Sequence, residues 1–148
     1  MPGAETTAAV VDASVAVKWV VVEVASDQAA MLLAEPIAWL APRLLLAEAA
    51  AALRRKVSTG ELRSGAAVAG LAALLDAVDQ GTIRLADDDD LVANALGLAL
   101  THAHKIPDCV YVALAEREGT ALSTADVKLA ELARRRKVPV LGIGAVAN

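Results

Sequence analysis

The chain has 148 residues, 57% of them hydrophobic, with 2% aromatics and no Phe; that length suits one domain with a single core built from Ala, Val and Leu. No apolar run reaches the roughly 18 residues of a spanning helix, and the N-terminus lacks the basic and apolar regions of a signal peptide, so a cytoplasmic protein is expected. A lone cysteine, Cys109, excludes a disulfide framework and a cysteine zinc site, leaving a small buried hydrophobe as its reading. A net charge of −4 argues against a general nucleic-acid coat, although Arg54-Arg55-Lys56 and Arg134-Arg135-Arg136-Lys137 are local basic patches.

Residues 8–12 read as a short buried strand, followed by a turn through Ala13 and Ser14 into a helix over 15–21. Ser26 is expected to cap a helix over 27–34 that Pro36 stops. A second strand is predicted over 37–40, and Pro42 marks the start of a long helix fading near 58–60. Ser64 begins another helix to about Gln80, closed by Gly81, and 82–85 is strand-like. The acidic run Asp87, Asp88, Asp89 and Asp90 leads into a helix through His102. Pro107 breaks that pattern, and Asp108 opens a helix to Gly119, which is placed as a left-handed cap. A strand over 120–123, a helix over 126–136 and a buried strand over 138–143 complete the chain. Strands alternating with helices predict an α/β three-layer sandwich around a mostly parallel sheet, with residues 1–148 as one domain and a core over about 8–143.

Four acids, Asp12, Glu48, Asp108 and Asp126, fall where these apolar elements begin or end. Carboxylates among apolar neighbours are costly to bury unless something positive compensates them. Acids from several segments suit a hard cation such as Mg²⁺ or Mn²⁺, which lowers the pKa of water and neutralises phosphoryl charge in phosphodiester hydrolysis. In open parallel sheets functional groups gather beyond the carboxyl ends of strands, where Asp12 is expected. Each acid alone also fits a plainer role: Asp12, Asp108 and Asp126 as helix caps, Glu48 as a surface partner of Arg54 or Arg55.

The blocks VVDASVAVKW (10–19), LLLAEAAAALRR (44–55), IPDCVYVALAEREG (106–119) and LSTADVKLAELA (122–133), in that order, resemble the PIN-domain family, in particular the VapC-type toxins of bacterial toxin–antitoxin pairs. The resemblance implies a PIN-like Mg²⁺- or Mn²⁺-dependent endoribonuclease, dimeric and held inactive by a cognate antitoxin. Matched by motif, Asp12, Glu48, Asp108 and Asp126 are the implied catalytic acids. The same resemblance implies Asp12 and Asp108 as direct metal ligands, Glu48 and Asp126 as acting directly or through water, and Ser14 and Thr124 as supports of the site. Many relatives carry a further acid after the fourth; Val127 and Lys128 stand there instead, so no fifth ligand is placed.

Arg54, Arg55, Arg134 and Arg135 are candidates for RNA backbone contact, with Arg134 and Arg135 equally suited to complementing a helix C-terminus. Asp87 to Asp90 fit the dipole of the helix they precede, and His102 and His104, two apart, are assigned surface or boundary roles. The GIGAVA segment at 142–147 leaves no room for the helix and strand of a dinucleotide site. The alternative function is a binding or regulatory module acting with its partner on DNA without turnover. An aspartate-phosphorylated signalling domain wants a lysine after a late strand, and a phosphatase with an aspartate nucleophile wants an acid in place of Ser14.

Overall fold

Residues 7–147 are described by the computed structural model. They contain five strands, β1 (Thr7–Val11), β2 (Ile37–Pro42), β3 (Ile83–Ala86), β4 (Ala121–Thr124) and β5 (Val140–Gly142). These form one sheet in the order β3-β2-β1-β4-β5, with every neighbouring pair parallel. Parallel neighbours require crossover connections. They are supplied by α1 (Ala13–Val20), α2 (Ser26–Leu33), α3 (Leu44–Ser58), α4 (Ser64–Asp79), α5 (Val92–His102), α6 (Ile106–Glu118) and α7 (Val127–Arg135), with 3-10 turns at Asp88–Asp90 and Gly144–Val146.

The strands read as unbroken apolar runs because helices cover the sheet, which removes the inside–outside alternation of a half-exposed sheet. At its centre Ala9, Val10 and Val11 have no solvent exposure, and Val10 aligns with Leu40 on one side and Leu122 on the other. With few large side chains, close approach does the packing. Gly70 of α4 lies so near the end of α1 that a Cβ there would stand 3.2 Å from a Val21 methyl. The two tryptophans provide the bulk that alanine lacks: Trp19 and Trp39 meet edge to face at 5.0 Å.

Two predicted helix starts shift. Pro42 ends β2 instead of opening a helix, and the next residue, Arg43, donates its N–H to the Ala86 carbonyl, supplying the ladder donor that proline lacks. Ser26 is the first residue of α2, not its cap, because Ala25 precedes it in the left-handed region (φ 67°). Its hydroxyl instead accepts from Glu23 N–H and donates to Val21 O, tying the α1–α2 loop. Gly119 does close α6 in the left-handed conformation (φ 65°).

From β1 the chain steps outward to β2 and β3, then returns through α5 and α6 to β4 on the other side of β1. The carboxyl ends of β1 and β4 therefore form a topological switch point, where loops part and leave a crevice. Helix α6 packs on β1, β2 and β4, and its residues 108–115 are all buried. Its N-terminus opens on that crevice, as do the starts of α1 and α7.

Candidate active site

Asp12 leaves β1 and caps α1. Its Oδ1 accepts from Val15 N–H at 3.1 Å and from Ser14 Oγ at 2.6 Å, while Oδ2 accepts from Thr124 Oγ1 at 2.6 Å. The two hydroxyls are held in turn: Ser14 Oγ accepts from Ala125 N–H and Thr124 Oγ1 from Asp126 N–H, each at 2.9 Å. Ser14 and Thr124 thus brace Asp12 across the β1–β4 junction.

Asp126 caps α7, its Oδ1 accepting from Lys128 and Leu129 N–H at 2.9 and 3.2 Å. The cap reading and the site reading of this residue are compatible, since a cap uses one oxygen and leaves the other. Asp108 lies in the first turn of α6, only 4% exposed, with Oδ2 2.7 Å from His104 Nε2 and Oδ1 3.8 Å from Lys105 Nζ. Glu48, one turn into α3, accepts at Oε1 from the Tyr111 hydroxyl at 2.7 Å.

All four acids line one cavity of about 240 Å³ with Ser14, Tyr111, Arg55 and Lys105. A larger hollow of about 590 Å³ between α5 and α6 gathers no such set; its only acid, Glu116, is paired with Arg136 at 2.7 Å. Burial raises Asp12 from 3.8 to about 6 against the three hydrogen bonds that favour its ionised form, and the charge of Asp126 adds to the rise. Burial likewise raises Asp108, opposed by His104 and Lys105 and reinforced by Asp126. Glu48 is raised by burial and by Asp108, with Tyr111, Lys105 and Arg55 opposing. Tyr111 is pushed well above 10 by burial and by Glu48, so its phenol keeps the proton it donates.

The donor set is all oxygen, which suits a hard divalent cation. Among the described residues no three Asp, Glu, His or Cys side chains converge closely enough to grip one ion directly. The acids ring the cavity instead, an arrangement compatible with an ion that takes one or two carboxylates and keeps several waters.

Of the basic candidates, Arg55 lines the cavity and Arg54 stands exposed outside its lining. Arg134 and Arg135 close the far end of α7; Arg134 is about 12 Å along the helix from Asp126 at 1.5 Å per residue. The structure does not bring those two to the acids. Three contributors escaped the sequence reading. Tyr111 follows Asp108 by three residues on one helix, so its face was readable from spacing. Lys105 and His104 precede that helix, where periodicity says nothing. His104 keeps a boundary position, as expected, but its bond to Asp108 was not foreseen.

The profile of the PIN domain matches residues 9–135, and the chain belongs to the PIN-domain family. No curated protein matches it at a significant level. Among solved structures it is similar to PAE2754 from Pyrobaculum aerophilum, 23% identical, with a TM-score of 0.67 over 95% of this chain and 87% of that one. It is similar also to the sarcin–ricin loop cleaving toxin VapC20 of Mycobacterium tuberculosis (17% identity, TM-score 0.68, 83% and 93% covered). A third is VapBC2 from Rickettsia felis, bound to a DNA fragment from its promoter (12%, 0.60, 93% and 100%). These likenesses show the PIN-like fold.

Proposed function

We propose that the chain, acting as one domain over 1–148, is a cytoplasmic Mg²⁺- or Mn²⁺-dependent endoribonuclease and the toxin of a toxin–antitoxin pair. The observation that carries the reading is the convergence of four carboxylates from four elements on one cavity at the β1–β4 switch point. Three of them have raised pKa values, the mark of buried acids in want of a cation. Asp12 and Asp108 would hold it directly, and Glu48 and Asp126 directly or through water. A bound divalent cation lowers the pKa of water and neutralises charge on the phosphoryl oxygens.

The chain's own residues do the rest. Ser14 and Thr124 keep Asp12 in one orientation, and Tyr111 does the same for Glu48. Arg55 and Lys105 set positive charge at the rim, where it offsets the phosphate repulsion of the acids. The likeness to a loop-cleaving toxin and to a toxin–antitoxin complex supports an RNA substrate and a cognate antitoxin that covers the cavity, presenting an Arg or Lys to the carboxylates. A homodimer belongs to the same reading, given the apolar residues left exposed on α4 and α5.

The test is RNA cleavage by the purified chain in Mg²⁺ or Mn²⁺. Cleavage that EDTA stops and Asp108→Asn abolishes is the expected result. Equal cleavage in EDTA sinks the carboxylate–cation mechanism. A protein that never cuts RNA, yet binds DNA with its partner, is the non-catalytic alternative.

A further inference from the structure

Three of the four acids commit one oxygen to the protein and leave the other: Asp126 to the α7 backbone, Glu48 to Tyr111, and Asp108 to His104. The first two donors sit on regular helices. His104 does not. It lies in the short link between α5 and α6, behind Ala103, whose backbone is left-handed (φ 52°). That conformation is strained for a non-glycine residue, and His104 N–H closes the turn onto the Ala99 carbonyl at 3.2 Å. The link is thereby wound so that the imidazole folds back over the first turn of α6. Its side chain is 14% exposed and reaches the Asp108 side chain, itself 6% exposed.

An ionised carboxylate only accepts hydrogen bonds, so Nε2 carries the hydrogen in this contact. Bonding Oδ2 removes the carboxylate's freedom to rotate and leaves Oδ1 for the cavity. Among the described residues the only cation near Oδ1 is Lys105, 3.8 Å away on a side chain 64% exposed and free to swing off. From this geometry we propose that His104 is a positioning residue, which orients Asp108 toward the cavity and so sets the affinity of the site for a divalent cation. The proposal rests on the cation reading given above.

Its test is calorimetric titration of the whole chain with Mn²⁺ alone, beside the melting temperature of each metal-free variant. Donors that orient a metal-binding group change affinity by roughly 10- to 100-fold. His104→Leu, which removes the donor, is expected to weaken Mn²⁺ binding by about tenfold or more. His104→Gln places an N–H at a reach close to that of Nε2 and is expected to stay within about threefold of wild type, both changes being judged against that same range. His104→Asn keeps an amide too short to reach Oδ2 and should bind as weakly as His104→Leu, so the Asn and Gln pair decides the matter if the leucine variant fails to fold. A role in folding alone would lower melting temperatures and leave the Mn²⁺ affinity of folded protein unchanged. A folded His104→Leu or His104→Asn with wild-type affinity, or a His104→Gln as weak as they are, overturns the inference while leaving the cation site standing. Wild type that binds no Mn²⁺ overturns the cation reading itself, and the role of His104 with it.

Discussion

With three hydrogen bonds to its oxygens and 4% exposure, Asp12 still keeps its proton up to about pH 6, against 3.8 when unfolded. The folded-state value is raised, so the protonated form is the one the fold favours. Folding stability therefore falls as pH climbs from 3.8 to about 6 and levels off above it, by roughly 3 kcal/mol for the shift given for Asp12. Glu48 and Asp108 shift the same way and deepen the slope. Urea unfolding of the metal-free chain across that interval measures the slope, and Asp12→Asn should flatten much of it; an unchanged slope counts against the assignment. A divalent cation should then raise the melting temperature more above pH 6 than below it, because only ionised carboxylates bind it. Asp108→Asn is expected to abolish RNA cleavage and cellular toxicity while leaving the metal-free chain as stable as wild type or slightly more so. Asp88→Asn, in the 3-10 turn outside the cavity, should cut RNA nearly as well as wild type. Tyr111→Phe should lower cleavage by about tenfold, since Glu48 loses the donor that orients it.

At the scale of elements, the ends of strands and helices do the positioning. Two of the four acids are helix caps, Asp12 on α1 and Asp126 on α7, so local backbone chemistry and site assembly use the same side chains. Helix α6 carries Asp108 and Tyr111 on one side because they are three residues apart, and its burial along eight consecutive residues holds that side in place. The last strand shows a different constraint. A Cβ on Gly142 would lie 2.5 Å from the Val146 carbonyl oxygen, so the closing 3-10 turn at Gly144–Val146 requires glycine there. Gly142→Ala should cost roughly 1–3 kcal/mol, the range for overpacking a closed site, read as a lower melting temperature with cation binding retained. A variant as stable as wild type would show that the turn gives way.

For the molecule as a whole, the informative surface is apolar. Val92, Leu96 and Leu100 recur every four residues along α5 at 48, 50 and 77% exposure, and Val68 of α4 is 72% exposed. Residues 66–78 of α4 are largely apolar, and with the α5 stripe they offer two candidate faces for the homodimer proposed above. Sedimentation at about tens of micromolar, a range in which interfaces of ordinary affinity fill, should show a dimer, and Leu96→Arg with Leu100→Arg should give a folded monomer if α5 forms the contact. A monomeric wild type contradicts the dimer. Among the described residues no helix is long and apolar enough to cross a membrane.

The alternation of strands and helices and the Gly119 cap are legible along the chain, as are the four acids and two hydroxyls that it offers as candidates for the site. Those are local signals: apolar runs, breakers and caps act within a few residues of themselves. The placing of β1 beside β4 is a long-range outcome, and it brings Ser14 and Thr124 together across 110 positions of chain. Only the tertiary structure decided that Arg55 would line the cavity, that Arg134 and Arg135 would end up at the far end of their helix, and that His104 would fold back onto Asp108. These outcomes depend on how far each helix is rotated and where each crossover lands. Packing of the whole core sets both, and no stretch of residues read alone contains them.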